Sequence, residues 1–210
     1  MPEHLDFNAI VDCVYDGPSR REVVARLIEA AGPWLGDPET IGILNLRTGS
    51  SAEKPWSPAA LDRMLTQDDQ LSIYARETVP GGRSGIHIAE REGKSRYVLS
   101  VPVPWVRRQA DRDIARQSAQ LFRALPLSHS PAVVTGFELG VQLRSGSLTN
   151  TLEQCWESGS LARWLVLPHA LIPRRIHPFE IEVRSEDFVL LRHARASSDL
   201  EERLNPHASR

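Results

Sequence analysis

The fold is decided by residues 85–103, GIHIAEREGKSRYVLSVPV, in which two runs of alternating apolar and polar side chains flank a turn. Alternation with a period of two is typical of a strand that has one buried face. The runs 85–91 and 96–103 are separated by Glu92-Gly93-Lys94, a sequence that favours a turn. The stretch therefore predicts an antiparallel hairpin.

A histidine, His87, lies in the first run close to Glu90 and Glu92. Successive side chains of a strand point to opposite faces, so His87 shares a face with Ala89 while Glu90 lies on the other. His87 and Glu90 therefore cannot work as an acid–base pair on one strand. We expect His87 to be a half-exposed strand residue.

Helical patterns lie outside the hairpin on both sides. Residues 19–31 carry apolar side chains at helical spacing behind a capping pair, Ser19 and Glu22, and Gly32-Pro33 is expected to end this helix. Ser57 is expected to cap a second helix. Two further helices are predicted over 108–125 and 149–167.

The remaining segments complete an α+β pattern without strict βαβ alternation. Strands are predicted at 5–15, 41–46, 71–79 and 131–143, a loop at 47–57, and a second hairpin at 178–194 that turns near Ser185 to Asp187. We predict one α+β domain over residues 1–195, mainly an antiparallel sheet with hairpins packed against several helices. Residues 196–210 are predicted to form a polar tail.

The overall composition excludes several classes of protein. The formal net charge is −2, which is unlike the strongly basic balance of a nucleic-acid-binding protein. No run of 18 apolar residues is present, and residues 1–17 lack the basic start of a signal peptide. The two cysteines, Cys13 and Cys155, are expected to be free thiols. These features predict a cytoplasmic protein that binds neither a membrane nor nucleic acid.

Residues for catalysis or metal binding are sparse in the sequence. The seven histidines are scattered, without a spacing that would place two imidazoles on one helix face. Glu138 stands at the centre of GFELG, where a nucleophile elbow would need a serine. We therefore expect no catalytic residue, no metal and no cofactor. An enzyme whose site assembles from His87, His129 and Glu138 is an alternative.

Tryptophans and carboxylates are the candidates for binding a partner protein. Trp34 and Trp164 lie in apolar stripes of predicted helices and are expected in the core, whereas Trp56 and Trp105 lie outside such stripes. The segment FEIEV at 179–183 places its two glutamates on one face and its apolar residues on the other. The candidate partner-binding residues are Trp56, Asp68, Asp69, Glu90, Glu92, Trp105, Glu180 and Glu182.

The order of these parts resembles the immunity protein 52 family of bacterial polymorphic-toxin immunity proteins. The parts are an N-terminal strand, the helix SRREVVARLIEAAGPWL followed by GDPE, the tryptophan of AEKPWSPAALDRML, the hairpin GIHIAEREGKSRYVLSV and the C-terminal PFEIEV and DFVLLRH. The resemblance implies a cytoplasmic α+β protein that performs no catalysis.

According to the same resemblance, the protein binds and blocks a cognate toxin. This toxin would be a nuclease of the restriction-endonuclease-like kind, delivered by a contact-dependent or type VI route. A basic nuclease cleft would accept an acidic, aromatic-bearing surface. A secretion chaperone or adaptor is a further alternative with similar physics. The sequence leaves the oligomeric state undecided.

Overall fold

The computed structural model describes most of the chain, and all structural statements concern this part. The described residues are 4–11, 17–44, 51–64, 70–75, 82–91, 94–106, 111–137, 153, 162–172, 174 and 176–194. The end of the predicted domain at 195 and the predicted tail at 196–210 lie outside these ranges, and both stay predictions.

One antiparallel sheet organises the described residues. Its strands are β1 His4–Val11, β2 Pro38–Leu44, β3 Ser51–Pro55, β4 Gln70–Ala75, β5 Gly85–Arg91, β6 Lys94–Pro102, β7 Ala132–Phe137, β8 Trp164–Leu167, β9 Phe179–Arg184 and β10 Val189–His193. The ten strands follow the order β3-β2-β4-β5-β6-β1-β7-β8-β10-β9, and every neighbouring pair is antiparallel. This arrangement confirms the predicted α+β class.

The hairpin predicted from residues 85–103 is present as β5 and β6. Ile88 pairs with Tyr97 and Arg91 pairs with Lys94, so β6 begins two residues before the predicted run. Ile86, Ile88 and Tyr97 are all buried, as the alternation requires of one strand face. The second hairpin, β9 and β10, is also present, and its chain turns between Arg184 and Val189.

Two long helices cover one face of the sheet. The helices are α1 Gly17–Leu35, α2 Pro58–Met64, α3 Val103–Val106 and α4 Asp111–Ala124, with 3-10 turns at Leu127–His129 and His169–Leu171. α1 and α4 pack against each other and against the central strands. Trp34 of α1 meets Phe7 of β1 edge to face, with 5.3 Å between ring centroids, so it is the core residue that was predicted.

The buried face of helix α4 includes two polar residues, Gln117 and Ser118. Ser118 is fully buried, and its hydroxyl lies 2.8 Å from Thr135 Oγ1 of β7. Gln117 donates from Nε2 to the carbonyl of Ala30 in α1, at 2.9 Å. Buried polar groups are tolerated when they are hydrogen-bonded, and these two bonds also fix the helix on β7 and α1. Phe122 beside them is fully buried, and its truncation to alanine would cost about 3–5 kcal/mol.

Both predicted boundaries of α1 were wrong. The helix begins at Gly17, two residues before the predicted cap Ser19, because a proline such as Pro18 is acceptable in a first turn that has no intrahelical bond to lose. At the other end the helix continues through Pro33 to Leu35. Glycine at position 32 has no Cβ to clash with the proline ring. Gly36 follows the last helical residue in the left-handed conformation, with a φ of +73°, and its N–H donates to the Gly32 carbonyl at 2.9 Å, as is typical of a glycine that ends a helix.

The helix predicted over 149–167 was wrong at its C-terminal end, where residues 164–167 form strand β8. All four residues of WLVL are buried, because β7 and β10 pair on either side and apolar layers cover both faces. A strand buried on both faces is apolar throughout and has no alternation, so periodicity cannot separate it from a buried helix. Trp164 is therefore a core residue of a strand. Of residues 149–161, only Glu153 is described, and it is helical.

Apolar cores lie on both faces of the C-terminal half of the sheet. The main core lies under α1 and α4, whereas a second cluster lies on the opposite face of β1, β7, β8, β10 and β9. The buried members of the second cluster are Ile10, Ala132, Val134, Ala162, Leu165, Leu167, Phe179, Val189 and Leu191. Strands β4, β5 and β6 instead carry partly exposed side chains on that face.

Tyr74 of β4 is paired with Gly85 of β5, and the two residues are in close contact. A substitution at Gly85 therefore tests the register of these two strands. A Cβ at Gly85 would lie 3.0 Å from Tyr74 Cδ1 and 3.2 Å from the Ile73 carbonyl oxygen. We expect Gly85→Ala to lower the free energy of unfolding by about 1–3 kcal/mol, because the backbone oxygen cannot move aside cheaply. Urea denaturation monitored by tryptophan fluorescence measures this change.

Gly42→Ala is the matched control in the same sheet. Its Cβ would meet nothing closer than 3.6 Å. We expect this variant to be unchanged or more stable by up to about 1 kcal/mol, since alanine loses less chain entropy than glycine. Equal effects of the two substitutions would contradict the observed packing of Tyr74 on Gly85.

Candidate functional site

The two edges of the sheet differ in how well they are protected. β3, at one edge, is a short strand with the sequence SAEKP, and its described side chains at 52–55 are all exposed. Lysine, glutamate and proline on a short strand are the usual means by which proteins prevent an edge from pairing with other chains. β3 is therefore a guarded edge, and the loop predicted at 47–57 was wrong for residues 51–55.

The opposite edge, β9, carries exposed apolar side chains. Ile181 is 43% exposed and Val183 is 44% exposed, and both are among the large apolar residues that the structure leaves in solvent. Phe179 at the start of the strand is buried and packs against His193 at a centroid distance of 5.3 Å. β9 contains neither lysine nor proline. The edge is anchored at one end, and no described strand pairs with its outer side.

A register shift distributes the two exposed side chains over both faces. Ile181 pairs with Leu191 and Val183 pairs with Leu190, and the irregularity lies between these two leucines. Cross-strand partners share a face, whereas consecutive residues face opposite ways. Ile181 and Val183 therefore lie on opposite faces of the sheet. The prediction that they share a face was wrong, because a bulge adds one residue to the alternation.

The acidic residues predicted on β9 are exposed, and an arginine of the neighbouring strand lies next to them. Arg192 of β10 lies 3.7 Å from a carboxylate oxygen of Glu180 and 3.3 Å from one of Glu182. An exposed pair of this kind contributes at most about 1 kcal/mol to stability. Its main effect is to hold both carboxylates beside the edge.

The hairpin as a whole is acidic. The turn between its strands adds two exposed carboxylates, Glu186 and Asp187, to those of β9. Ser185 Oγ accepts from the backbone N–H groups of Asp187 and Phe188, both at 3.3 Å, so the turn is ordered by its own side chain. Residues 179–193 contain four carboxylates and two arginines. The hairpin would attract a basic surface.

The other predicted partner-binding residues do not join this edge in the described structure. Trp56 directly follows β3 and packs partly buried against the main core. β3 and β9 are separated by nine strand spacings, or about 43 Å along the sheet. The side chains of Glu90 in β5 and Trp105 in α3 are not described, and Asp68, Asp69 and Glu92 lie outside the described residues.

A polar cluster occupies the helix-free face of β4, β5, β6 and β1. Ser72 and His87 are directly paired, and Ser72 Oγ lies 2.9 Å from His87 Nδ1. Ser100 donates its hydroxyl to the buried carboxylate of Asp6 at 2.7 Å. These bonds link neighbouring strands at matched positions. We interpret the cluster as the polar lining of a sheet face.

An aromatic and a charged side chain extend the cluster towards the guarded edge. The Tyr74 ring meets His87 edge to face at 5.6 Å, and the Arg83 guanidinium lies 5.0 Å above the centre of the same ring. Arg83 also lies 3.0 Å from Glu53 of β3. Hydrogen bonds from the Thr40 hydroxyl and then from Arg83 lower the pKa of Glu53.

Two of the three residues of the alternative enzyme site lie in the described part. His87 lies on the helix-free face, whereas His129 lies in the 3-10 turn after α4, 3.4 Å from the hydroxyl of Ser128. Glu138 lies outside the described residues. Among those that are described, no three histidine, cysteine or carboxylate side chains are grouped so that they could hold a metal ion.

Within the described ranges, no helix is both long enough and apolar enough to span a bilayer.

His87 gives the stability a dependence on pH. Burial lowers the pKa of His87, while the charge of Asp6 raises it and that of His4 lowers it. The unfolded chain therefore binds the proton more readily than the folded chain. The stability due to the neutral imidazole is complete above the ordinary histidine pKa of about 6.5 and is lost as the pH falls towards the folded value.

We expect His87→Asn to remove this part of the pH dependence while an amide oxygen still faces Ser72. Between about pH 7.5 and about pH 5.5, wild type should lose more unfolding free energy than the variant. Urea denaturation at each pH measures the loss. An unchanged slope in His87→Asn would contradict the partial burial of His87 as the cause of the lowered pKa.

Comparison with known proteins gives a structural neighbour and no family. No protein-family profile matches the chain, and no curated protein matches it. The solved structure of "Pseudomonas aeruginosa T6SS protein PA0821" is similar, with a TM-score of 0.43 and 12% sequence identity over 90% of this chain and 69% of that chain. A similarity of this size carries no argument about function.

Proposed function

We propose that this chain is an immunity protein, which binds a toxin protein and covers its active surface. The observation that carries the proposal is the β9 edge, where two apolar side chains are exposed beside an acidic rim. Exposed apolar side chains on an edge strand favour association with another chain, and natural proteins usually avoid them for that reason. Among the described residues, exposed large apolar side chains lie on β9 and not on β3, and this difference points to a partner.

The charge of the hairpin suggests what kind of partner this is. A nuclease needs a basic cleft to bind phosphates. Four carboxylates around β9 and its turn would be attracted to such a cleft and would speed encounter with it. The proposed partner is therefore a basic toxin domain, with a restriction-endonuclease-like nuclease as the candidate, consistent with the resemblance to the immunity protein 52 family.

Inhibition by occlusion needs affinity more than chemistry. Nanomolar binding corresponds to about −12 kcal/mol, which an interface of about 1,600 Å² can supply. In this proposal, the protein acts in the cytoplasm of the producing cell and catalyses no reaction. It neutralises a toxin that is delivered by a contact-dependent or type VI route. The Ser72–His87 bond has a structural role in this proposal, because it joins directly paired positions of β4 and β5.

Co-expression tests the function directly. The proteins encoded by reading frames next to this gene are expressed singly in a sensitive host, with and without the chain. We expect one of them to kill the host, and the chain to restore colony counts by several orders of magnitude through a complex that co-elutes in gel filtration. Killing that the chain does not relieve would contradict the proposal.

Reversal of charge tests the acidic hairpin. Glu180 and Glu182 are poor positions for this test, because lysines there would face Arg192. Glu186→Lys with Asp187→Lys changes the exposed turn instead. We expect association with the toxin to slow by about tenfold or more at low salt and to approach the wild-type rate at high salt, where the charges are screened.

The control makes the same change of charge at exposed positions away from the hairpin. Glu29→Lys with Asp37→Lys alters the end of α1 and the residue that precedes β2. Stopped-flow association rates over a series of salt concentrations should match wild type for this control. Equal slowing by both double variants would show that net charge, and not the hairpin, governs capture.

A further inference from the structure

We propose that β9 binds its partner by strand addition, taking a basic extended segment of another protein as an eleventh strand of the sheet. The inference deepens the function proposed above and rests on it for the partner being a protein. It concerns the residues of β9, Phe179–Arg184, and the way in which they are contacted.

The placement of the exposed apolar side chains favours an added strand over a flat contact. Ile181 and Val183 lie on opposite faces of the sheet, since their partners Leu191 and Leu190 are consecutive residues of β10. A partner that docks flat against one face would cover one of them and leave the other in water. A strand laid along the edge has side chains on both faces, and these can cover both residues.

The backbone of β9 has hydrogen-bonding groups that point outward. Ser185 donates its N–H to the Phe188 carbonyl at 2.9 Å, so the backbone groups of Ser185 point towards β10. The groups of neighbouring residues alternate in an antiparallel ladder. Arg184, which is paired with Val189, therefore turns its N–H and carbonyl away from β10 and towards the edge. An incoming strand would find a donor and an acceptor there.

The bulge explains how an open edge can remain selective. β9 has one residue more than β10 opposite it between Ile181 and Val183. A bulge bends an edge and interrupts regular pairing. A long regular strand would therefore pair poorly, whereas a short segment, or one with a matching irregularity, would fit. This constraint limits indiscriminate association while the edge stays available.

Charge separates a basic segment from a second copy of this chain. A second copy would bring the same hairpin to the edge, in which four carboxylates outnumber the two arginines, Arg184 and Arg192. Two hairpins of net negative charge repel each other, whereas a basic segment is attracted. A segment in which lysine or arginine alternates with apolar residues would complement both the carboxylates and the exposed side chains.

Peptides test this inference without the toxin. The probe is a capped heptapeptide in which lysine alternates with valine, and the comparison peptide has glutamate in place of lysine. We expect the intact chain to bind the lysine peptide at least tenfold more tightly than the glutamate peptide. Hydrogen exchange of the complex should show slower exchange at the Arg184 amide. Equal binding of the two peptides, or binding without protection in 179–184, would overturn strand addition at β9.

A pair of variants at one position isolates the backbone contribution. Arg184→Pro removes the outward N–H, and Arg184→Ala removes the same charge but keeps that N–H. Neither change removes a donor to β10, so both variants should fold, as circular dichroism and thermal unfolding verify. We expect Arg184→Pro to bind the lysine peptide about three- to tenfold more weakly than Arg184→Ala, the effect of one lost hydrogen bond. Equal affinity would overturn the inference.

Two further outcomes separate this inference from the proposed function. If the chain protects cells and Arg184→Pro protects them equally, with unchanged affinity for the toxin, the function stands and strand addition at β9 is wrong. If the peptide behaves as expected but no toxin is neutralised, the edge is a binding site and the immunity function is wrong. Gel filtration of the free chain adds a third outcome, since a dimer with protected β9 amides would show that a second copy takes this edge.

Discussion

The structure depends on strand β1, His4–Val11, being buried on both faces. One face of β1 carries Leu5 and Phe7 into the core under α1 and α4, and the other face carries Ile10 into the second cluster. β6 and β7 pair along its two sides. Because β1 joins both halves of the sheet and both apolar layers, the N-terminal meander and the C-terminal hairpin behave as one sheet. This single sheet has β3 and β9 as its outermost strands.

An open sheet always leaves two edges, and the chain treats them differently. β3 ends the sheet with lysine, glutamate and proline, which resist pairing. β9 ends it with Ile181 and Val183 in solvent and with carboxylates beside them. The exposed residues of both edges lie outside the two apolar cores, to which β9 contributes Phe179. The difference between the edges makes sense if one edge is kept for a partner, and it connects the proposed immunity function with a physical mode of binding.

The parts of the fold that the sequence predicted correctly are those with a clear period. Ile86, Ile88, Tyr97 and Leu99 recur at every second position and alternate with partly exposed residues, so the β5–β6 hairpin and its buried face could be predicted. The apolar stripe of α4 could be predicted for the same reason. WLVL at 164–167 could not, since a strand covered on both faces has no alternation. β3 was missed because an edge strand in solvent needs no apolar pattern.

For the candidate site at β9, the sequence predicted the acidic residues but not the position of their strand in the sheet. Glu180 and Glu182 were recognised as exposed from their alternation with apolar residues, but the same alternation would occur in an interior strand. The amino-acid sequence by itself determined the local periods, the turns and the acidic character of the C-terminal hairpin. Only the tertiary structure decided that β9 lies at an edge and that a bulge sends Ile181 and Val183 to opposite faces. The physical reason is that strand order and register depend on contacts between distant residues, which no local pattern contains.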